Sequence, residues 1–342
     1  MKKLLSLVLS LILTFTVFSF SACSKAQVSI SYKDAPTIMQ LLLDDGLDYG
    51  LLPEPAASTL EKVKGKDFTW KRLSLQDLYD DQTKSYPQAV LMVKSDVLEA
   101  YPEIVRQMKE KFNDNVNWVS QNPKLAVSAI KSNLAASTLN PNVMDSSVIE
   151  NCKISWQDAS LAKKQVNDYI SNILSANDSQ LIVPAKTVGD EFFYTDNGAQ
   201  GQAINGKTFT FYAPDGAPAL AIAKFINDSE NFVSGATLNY NVVVADDIAK
   251  YTNGVLGTAD FVVMPVNAAS KIYNNQKASY TMVSVITHGN LYIMAKVKDG
   301  DTKIKLSDLD DKSIGVIGQG NVPDLTLKTV LTKNSMQYSV IG

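Results

Sequence analysis

Asp260-Phe-Val-Val-Met-Pro265-Val-Asn-Ala268-Ala269-Ser270 and Asp48-Tyr-Gly-Leu-Leu-Pro53-Glu-Pro-Ala56-Ala57-Ser58 are one phrase written twice. Each opens on Asp, runs through apolar residues to a Pro, and closes on Ala-Ala-Ser at the same spacing. A short apolar run stopped by Pro predicts a buried strand, here Phe261–Met264 and Tyr49–Leu52. A second phrase is also doubled. Phe209-Thr-Phe-Tyr-Ala-Pro-Asp-Gly216-Ala-Pro218-Ala-Leu220 matches Ile314-Gly-Val-Ile-Gly-Gln-Gly320-Asn-Val-Pro323-Asp-Leu325 as strand, Gly/Pro turn and helix start. Self-similarity of this kind marks two copies of one structural unit.

The copies appear in an unusual order. From residue 207 the chain reads first phrase, second phrase, first phrase, and stops at Gly342. The missing second phrase lies at residues 48–58. Joining the end to the start near Gln27 restores two complete units, so the chain reads as circularly permuted. Permutation is tolerated where termini fall in exposed loops.

Outward from the repeats, the pattern is alternating strand and helix. Val28–Tyr32 is β-rich and Pro36–Leu43 is an apolar helical stretch. Helices dominate from about Val97 to Ser175. Residues 195–206 are polar and Gly-rich and read as a linker. Strand and helix then alternate again through Thr208–Tyr212, Pro218–Ile226, Tyr240–Val244 and Phe261–Met264. The expected class is α/β, with parallel sheets covered by helices.

A length of 342 residues fits two modest lobes. The net charge of -3 comes with no basic block, which excludes a nucleic-acid footprint. Arginine occurs only at Arg72 and Arg106, so a site built on several arginine clamps is excluded. One histidine, His288, and two cysteines, Cys23 and Cys152, leave little for metal or nucleophile chemistry, and no metal or cofactor is expected. Cys152 reads as a small core hydrophobe.

The first residues carry an address. Lys2 and Lys3 precede an uncharged apolar run from Leu4 to Phe20, followed by Ser21-Ala22-Cys23. Small residues before a cysteine suit a lipoprotein signal peptidase, and a plain transmembrane helix has no need of them. Residues 1–22 are therefore expected to be a signal peptide and Cys23 the lipidated residue. Anchoring on the extracytoplasmic face of the cell membrane follows.

Several loops resemble one family. They are Pro214-Asp-Gly-Ala-Pro-Ala-Leu-Ala, Met264-Pro-Val-Asn-Ala-Ala, Thr287-His-Gly-Asn-Leu-Tyr, Gly318-Gln-Gly-Asn-Val-Pro-Asp-Leu and Leu52-Pro-Glu-Pro-Ala-Ala. They look like the cleft loops of substrate-binding proteins of ABC transporters in the nitrate/sulfonate/taurine/thiamine-precursor group. Tyr86-Pro-Gln-Ala-Val-Leu-Met-Val-Lys and Asp190-Glu-Phe-Phe-Tyr resemble that family's second half and C-terminus. The likeness runs over nearly all of residues 27–342, with the family's second half placed first.

This resemblance implies a two-lobe, periplasmic-binding-protein-like fold of type II, circularly permuted. One lobe would be residues 27–88 plus 303–342 and the other residues 95–290. Residues 89–94 and 291–297 would be the hinge crossovers. The implied role is an extracytoplasmic solute-binding lipoprotein delivering a small polar or anionic molecule to an ABC transporter permease. A solute-sensing receptor is the alternative. The fold also includes a thiamine-pyrimidine synthase, but that enzyme works inside the cell with a cysteine cluster that this chain lacks, so no enzyme is expected.

The expected site lines the cleft. Gly216, Ala217, Gly320 and Asn321 bring two helix N-termini to it, which would suit a small anion or a polar planar molecule. Asn267 and Asn290 would hydrogen-bond the solute, with Thr287 and His288 on the neighbouring loop. Glu54 would bind a cationic or N–H group, or else lock its own loop.

Overall fold

The computed structural model describes residues 26–65, 67–177, 187–228, 235–253, 258–276, 279–298 and 303–341. Residues 1–22, expected to be a signal peptide, and Cys23 lie outside the described residues. Two six-stranded sheets organise what is described. The first holds β1 (Gln27–Tyr32), β2 (Tyr49–Pro53), β3 (Phe68–Ser74), β10 (Leu291–Lys298), β11 (Ser313–Val316) and β12 (Gln337–Val340). Its order is β12-β1-β11-β2-β10-β3. The second holds β4 (Ala89–Lys94), β5 (Ile154–Asp158), β6 (Thr208–Pro214), β7 (Thr237–Val243), β8 (Phe261–Pro265) and β9 (Tyr280–Thr287). Its order is β5-β9-β4-β8-β6-β7.

The two orders are one pattern. β11, β2, β10 and β3 follow one another across the first sheet as β6, β8, β4 and β9 do across the second. In each, the first pair is parallel and the next two are antiparallel. The doubled phrases occupy matching places. Pro53 lies opposite Leu291, the first residue of β10, and Pro265 lies opposite Ala89, the first residue of β4. The internal repeat in the sequence is thus a repeat in space. The sheets are mixed rather than parallel throughout. β4 and β10 receive the chain from the other sheet and run against their neighbours.

The first sheet closes from both ends of the chain. β1 pairs in parallel with β11, Ser29 opposite Ser313, and with β12, Gln27 opposite Gln337. The passages between sheets fall at Tyr86–Gln88 and His288–Asn290. β4 hydrogen-bonds within the second sheet and β10 within the first.

Helices cover the sheets: α1 (Ala35–Leu43), α2 (Ala56–Glu61), α3 (Leu75–Tyr79), α4 (Ser95–Ala100), α5 (Pro102–Gln121), α6 (Pro123–Asn133), α7 (Ser146–Asn151), α8 (Ala159–Ala176), α9 (Ala217–Leu220), α10 (Ala223–Asp228), α11 (Val266–Gln276) and α12 (Val322–Lys333). Asp34 caps α1 by accepting from Thr37 N at 2.8 Å. Along α5, Ile104, Val105, Met108, Phe112 and Val119 form the buried stripe that helical periodicity requires.

Pro218–Ile226, expected as one helix, is broken into α9 and α10. The buried side chain of Asn115 in α5 enters the break. Its Nδ2 donates to Ala221 O at 2.6 Å and its Oδ1 accepts from Lys224 N at 2.9 Å. A side chain that takes over ladder partners in this way ends a helix. The polar stretch 195–206 is held rather than loose. Arg106 donates to both Asp196 carboxylate oxygens at 2.9 and 3.0 Å and to Ala199 O at 2.7 Å.

Candidate functional site

The strip where the two sheets meet is built from backbone upward. Gln88 N donates to Thr287 O and Val266 N donates to Gln88 O, both at 3.0 Å. Thr287 Oγ1 accepts from Ala89 N at 3.0 Å. Glu54 N donates to Asn290 O at 2.9 Å. These bonds tie the ends of β8 and β9 to the start of β4 in the second sheet and the end of β2 to the start of β10 in the first, and the passage His288–Asn290 joins the two groups into one seam. The Thr287 side chain is thereby engaged in holding the seam together.

On the second sheet's side, α11 starts at the end of β8 and presents Asn267. Its side chain is 8% exposed. Its Nδ2 donates to Gly320 O of the first sheet's loop at 3.2 Å, which fixes the orientation of the amide. Its Oδ1 is buried without a hydrogen-bond partner. Asn290, 2% exposed, and Gln88 likewise bury side-chain carbonyl oxygens without a partner.

Gly216 sits at φ +100°, a conformation that favours glycine, and open space lies where its Cβ would be. The helix it introduces, α9, has only four residues. The carboxylate of Asp215 turns away to accept from Ser137 Oγ at 2.7 Å and from Thr138 N and Oγ1 at 2.8 Å. Ala217 is buried in the apolar cluster with Val127, Ile130 and Cys152.

On the first sheet's side, the loop after β11 turns through Gly320 at φ +76° into α12, with Asn321 exposed at the N-cap position. Gly320 N donates to the buried carboxylate of Asp324 at 2.9 Å. That carboxylate also accepts from Tyr32 Oη at 2.9 Å and from Lys328 Nζ at 2.9 Å. The positive end of α12 therefore already faces an internal anion.

Glu54 is buried and fully engaged. It accepts from Ser58 N at 3.1 Å, Ser58 Oγ at 2.8 Å and Arg72 Nη1 at 2.8 Å. Burial pushes its carboxyl above the usual range, and the Ser58 hydrogen bonds and Arg72 pull it back. Of its two expected roles, these contacts correspond to locking the loop. Arg72 also meets Glu61 at 3.3 Å, so one guanidinium serves two carboxylates.

His288 shares its passage with Asn290 but makes its bonds on the β5 side. Its backbone N donates to Lys153 O at 3.0 Å, and Nε2 lies 3.3 Å from Ser155 O. Burial pushes the imidazole below its usual range, opposed by the Ser155 carbonyl. It borders two open cavities of about 590 and 930 Å³, whose linings include neither asparagine.

Sequence reasoning missed Gln88, Arg72 and Asp324. Asp324 stood in the doubled first phrase, at the position following Pro323. Nothing in type or spacing marked Gln88. Among the described residues no group of three or more His, Cys, Asp or Glu could hold a metal ion. No described helix is long and apolar enough to cross a membrane.

No family model matches the chain, and no curated protein matches it in sequence. Solved structures similar to it include NikA from Staphylococcus aureus in complex with Ni(L-His)2. That match has 10% identity and a TM-score of 0.32 and covers 81% of this chain and 58% of that one. The oligopeptide-binding protein AppA from Bacillus subtilis, in complex with a nonapeptide, matches at 13% identity and a TM-score of 0.27, covering 82% and 58%. NikA from Brucella suis in complex with Fe(III)-EDTA matches at 12% identity and a TM-score of 0.29, covering 85% and 59%. The chain spans a little over half the length of these proteins. By its own topology the chain is a two-lobe α/β protein, with one mixed sheet in each lobe.

Proposed function

We propose that this chain is an extracytoplasmic solute-binding lipoprotein that captures a small polar solute between its lobes and delivers it to an ABC uptake transporter. It would be a circularly permuted member of the type II binding-protein architecture. The residues for the solute would be drawn from the seam: Asn267, Asn290, Gly216, Gly320 and Asn321, with Glu54 holding its loop. The carrying observation is the Asn267 Nδ2 to Gly320 O bond, which joins the two lobes where the doubled phrases end. Ligands in open α/β sheets sit at such strand ends. A solute that contacts both walls better when they are together favours the closed form. Pairing of β1 with both β11 and β12 supports the permuted order.

Solute released from the purified protein and identified by mass spectrometry would supply the titrant for calorimetry. Asn267→Ala is expected to weaken binding by about 1–3 kcal/mol, the cost of leaving a polar partner unpaired. Unchanged affinity would place the solute elsewhere. Cys23→Ser is expected to release the protein from the membrane fraction, and fractionation like the native chain would remove the anchor from the proposal.

A further inference from the structure

Resting on the solute-binding role proposed above, we propose that the solute is a hydrogen-bond donor, a neutral or cationic molecule rich in N–H groups, and not an oxyanion. The seam offers acceptors. Asn267 Oδ1, Asn290 Oδ1 and Gln88 Oε1 are buried carbonyl oxygens without partners. The bond from Asn267 Nδ2 to Gly320 O engages one N–H of that amide and fixes its orientation, and its oxygen is left without a partner. Buried polar atoms are normally paired, so these three acceptor oxygens call for donors, while the unpartnered hydroxyls of Tyr86 in the first passage and Ser270 in α11 can donate or accept and suit either partner.

The groups that would attract an anion are already engaged. At the start of α12, Gly320 N is taken by Asp324. The other turn leads into a four-residue helix, too short to supply much dipole, and an aspartate precedes it. Arg72 is divided between Glu54 and Glu61, so this cluster carries two carboxylates to one guanidinium. The other arginine, Arg106, is held by Glu103 and Asp196. An oxyanion placed beside Asn290 would face unpaired carbonyl oxygens and a net acidic cluster, and would lose its hydration without return.

The test is calorimetry on the full chain with four probes: agmatine and cytosine as cationic and neutral N–H donors, nitrate and sulfate as oxyanions. Mass spectrometry of solute released from the same preparation accompanies it. Agmatine or cytosine is expected to bind, the oxyanions are not, and the released solute should carry N–H groups and no net negative charge. Asn290→Leu should weaken donor binding at least tenfold. Asn290→Asp keeps an acceptor in place and should leave agmatine binding equal or tighter. Binding of nitrate or sulfate alone, or release of an oxyanion, would overturn the donor assignment and leave the solute-binding role standing. No released solute and no binding of any probe would overturn both.

Discussion

At the scale of single residues, Glu54 and Arg72 show how a polar residue singled out as a candidate for binding can be structural. The Glu54 side chain is fully buried, while that of Arg72 is 30% exposed. Removing the guanidinium would strand a buried carboxylate. Arg72→Ala is therefore expected to cost about 3 kcal/mol in urea unfolding, at the low end for breaking a buried pair because Arg72 keeps some water. Glu54→Gln should cost less than Arg72→Ala, since the amide keeps an acceptor for Ser58 and buries no charge. Equal losses for both variants would mean that charge burial is not what the arginine offsets.

Among the elements, α7 joins the lobes by electrostatics. Its N-cap, Asp145, accepts from Ser147 N at 3.0 Å and Val148 N at 3.1 Å, and meets Lys62 of the first lobe at 3.2 Å. Hydrogen bonds to Ser147 and Val148, with Lys62, hold its carboxyl down at about 2. A depressed carboxylate contributes stability above its unfolded value near 3.8, and that contribution is lost as pH falls toward about 2. Asn also caps helices, so Asp145→Asn removes mainly the charge. The variant should melt below the native protein at pH 7 and converge with it near pH 2. A difference that persists at pH 2 would assign the effect to packing.

Legibility also differed by element. β2 and β8 could be read because a buried apolar run ended at a proline. β5 was missed inside a helical stretch. Its Ile-Ser-Trp-Gln-Asp is a short edge strand, only partly buried, beside β9. The break between α9 and α10 was illegible because its cause, Asn115, lies about a hundred residues away in the sequence. At the site, Asn267 and Asn290 stood out within quoted loops. The engagement of Glu54 depends on Arg72 in β3, which no local pattern connects to it.

Across the whole molecule, two lobes joined by two short passages would ordinarily have separate cores and move independently. Here the largest apolar cluster draws on both sheets. It takes Val28, Ile30, Ile293 and Ile314 from the first and Val90, Val262, Met264 and Val285 from the second. The bridge is α8, which follows β5 of the second sheet yet packs on α12 of the first. Tyr169 stacks on Tyr86 at 5.6 Å, and its hydroxyl meets Thr326 Oγ1 at 2.8 Å. Asn172 Nδ2 donates to Tyr79 Oη at 2.9 Å. A continuous core makes the lobes unfold together, so calorimetry should give one peak with equal calorimetric and van't Hoff enthalpies. Tyr169→Ala removes the stacked ring and should cost about 3–5 kcal/mol. It should also split or broaden the peak, because it weakens what couples the lobes. The same bridge restricts how the lobes can part, leaving the contacts at Lys62–Asp145 and Asn267–Gly320 to open about an α8 side that stays packed. Spin labels at Lys62→Cys and Asp145→Cys should move together when solute is added, while labels at Ser175→Cys in α8 and Lys333→Cys in α12 should hold their distance. Two resolved transitions in the native protein, or equal movement of both label pairs, would show that α8 does not bind the lobes into one unit.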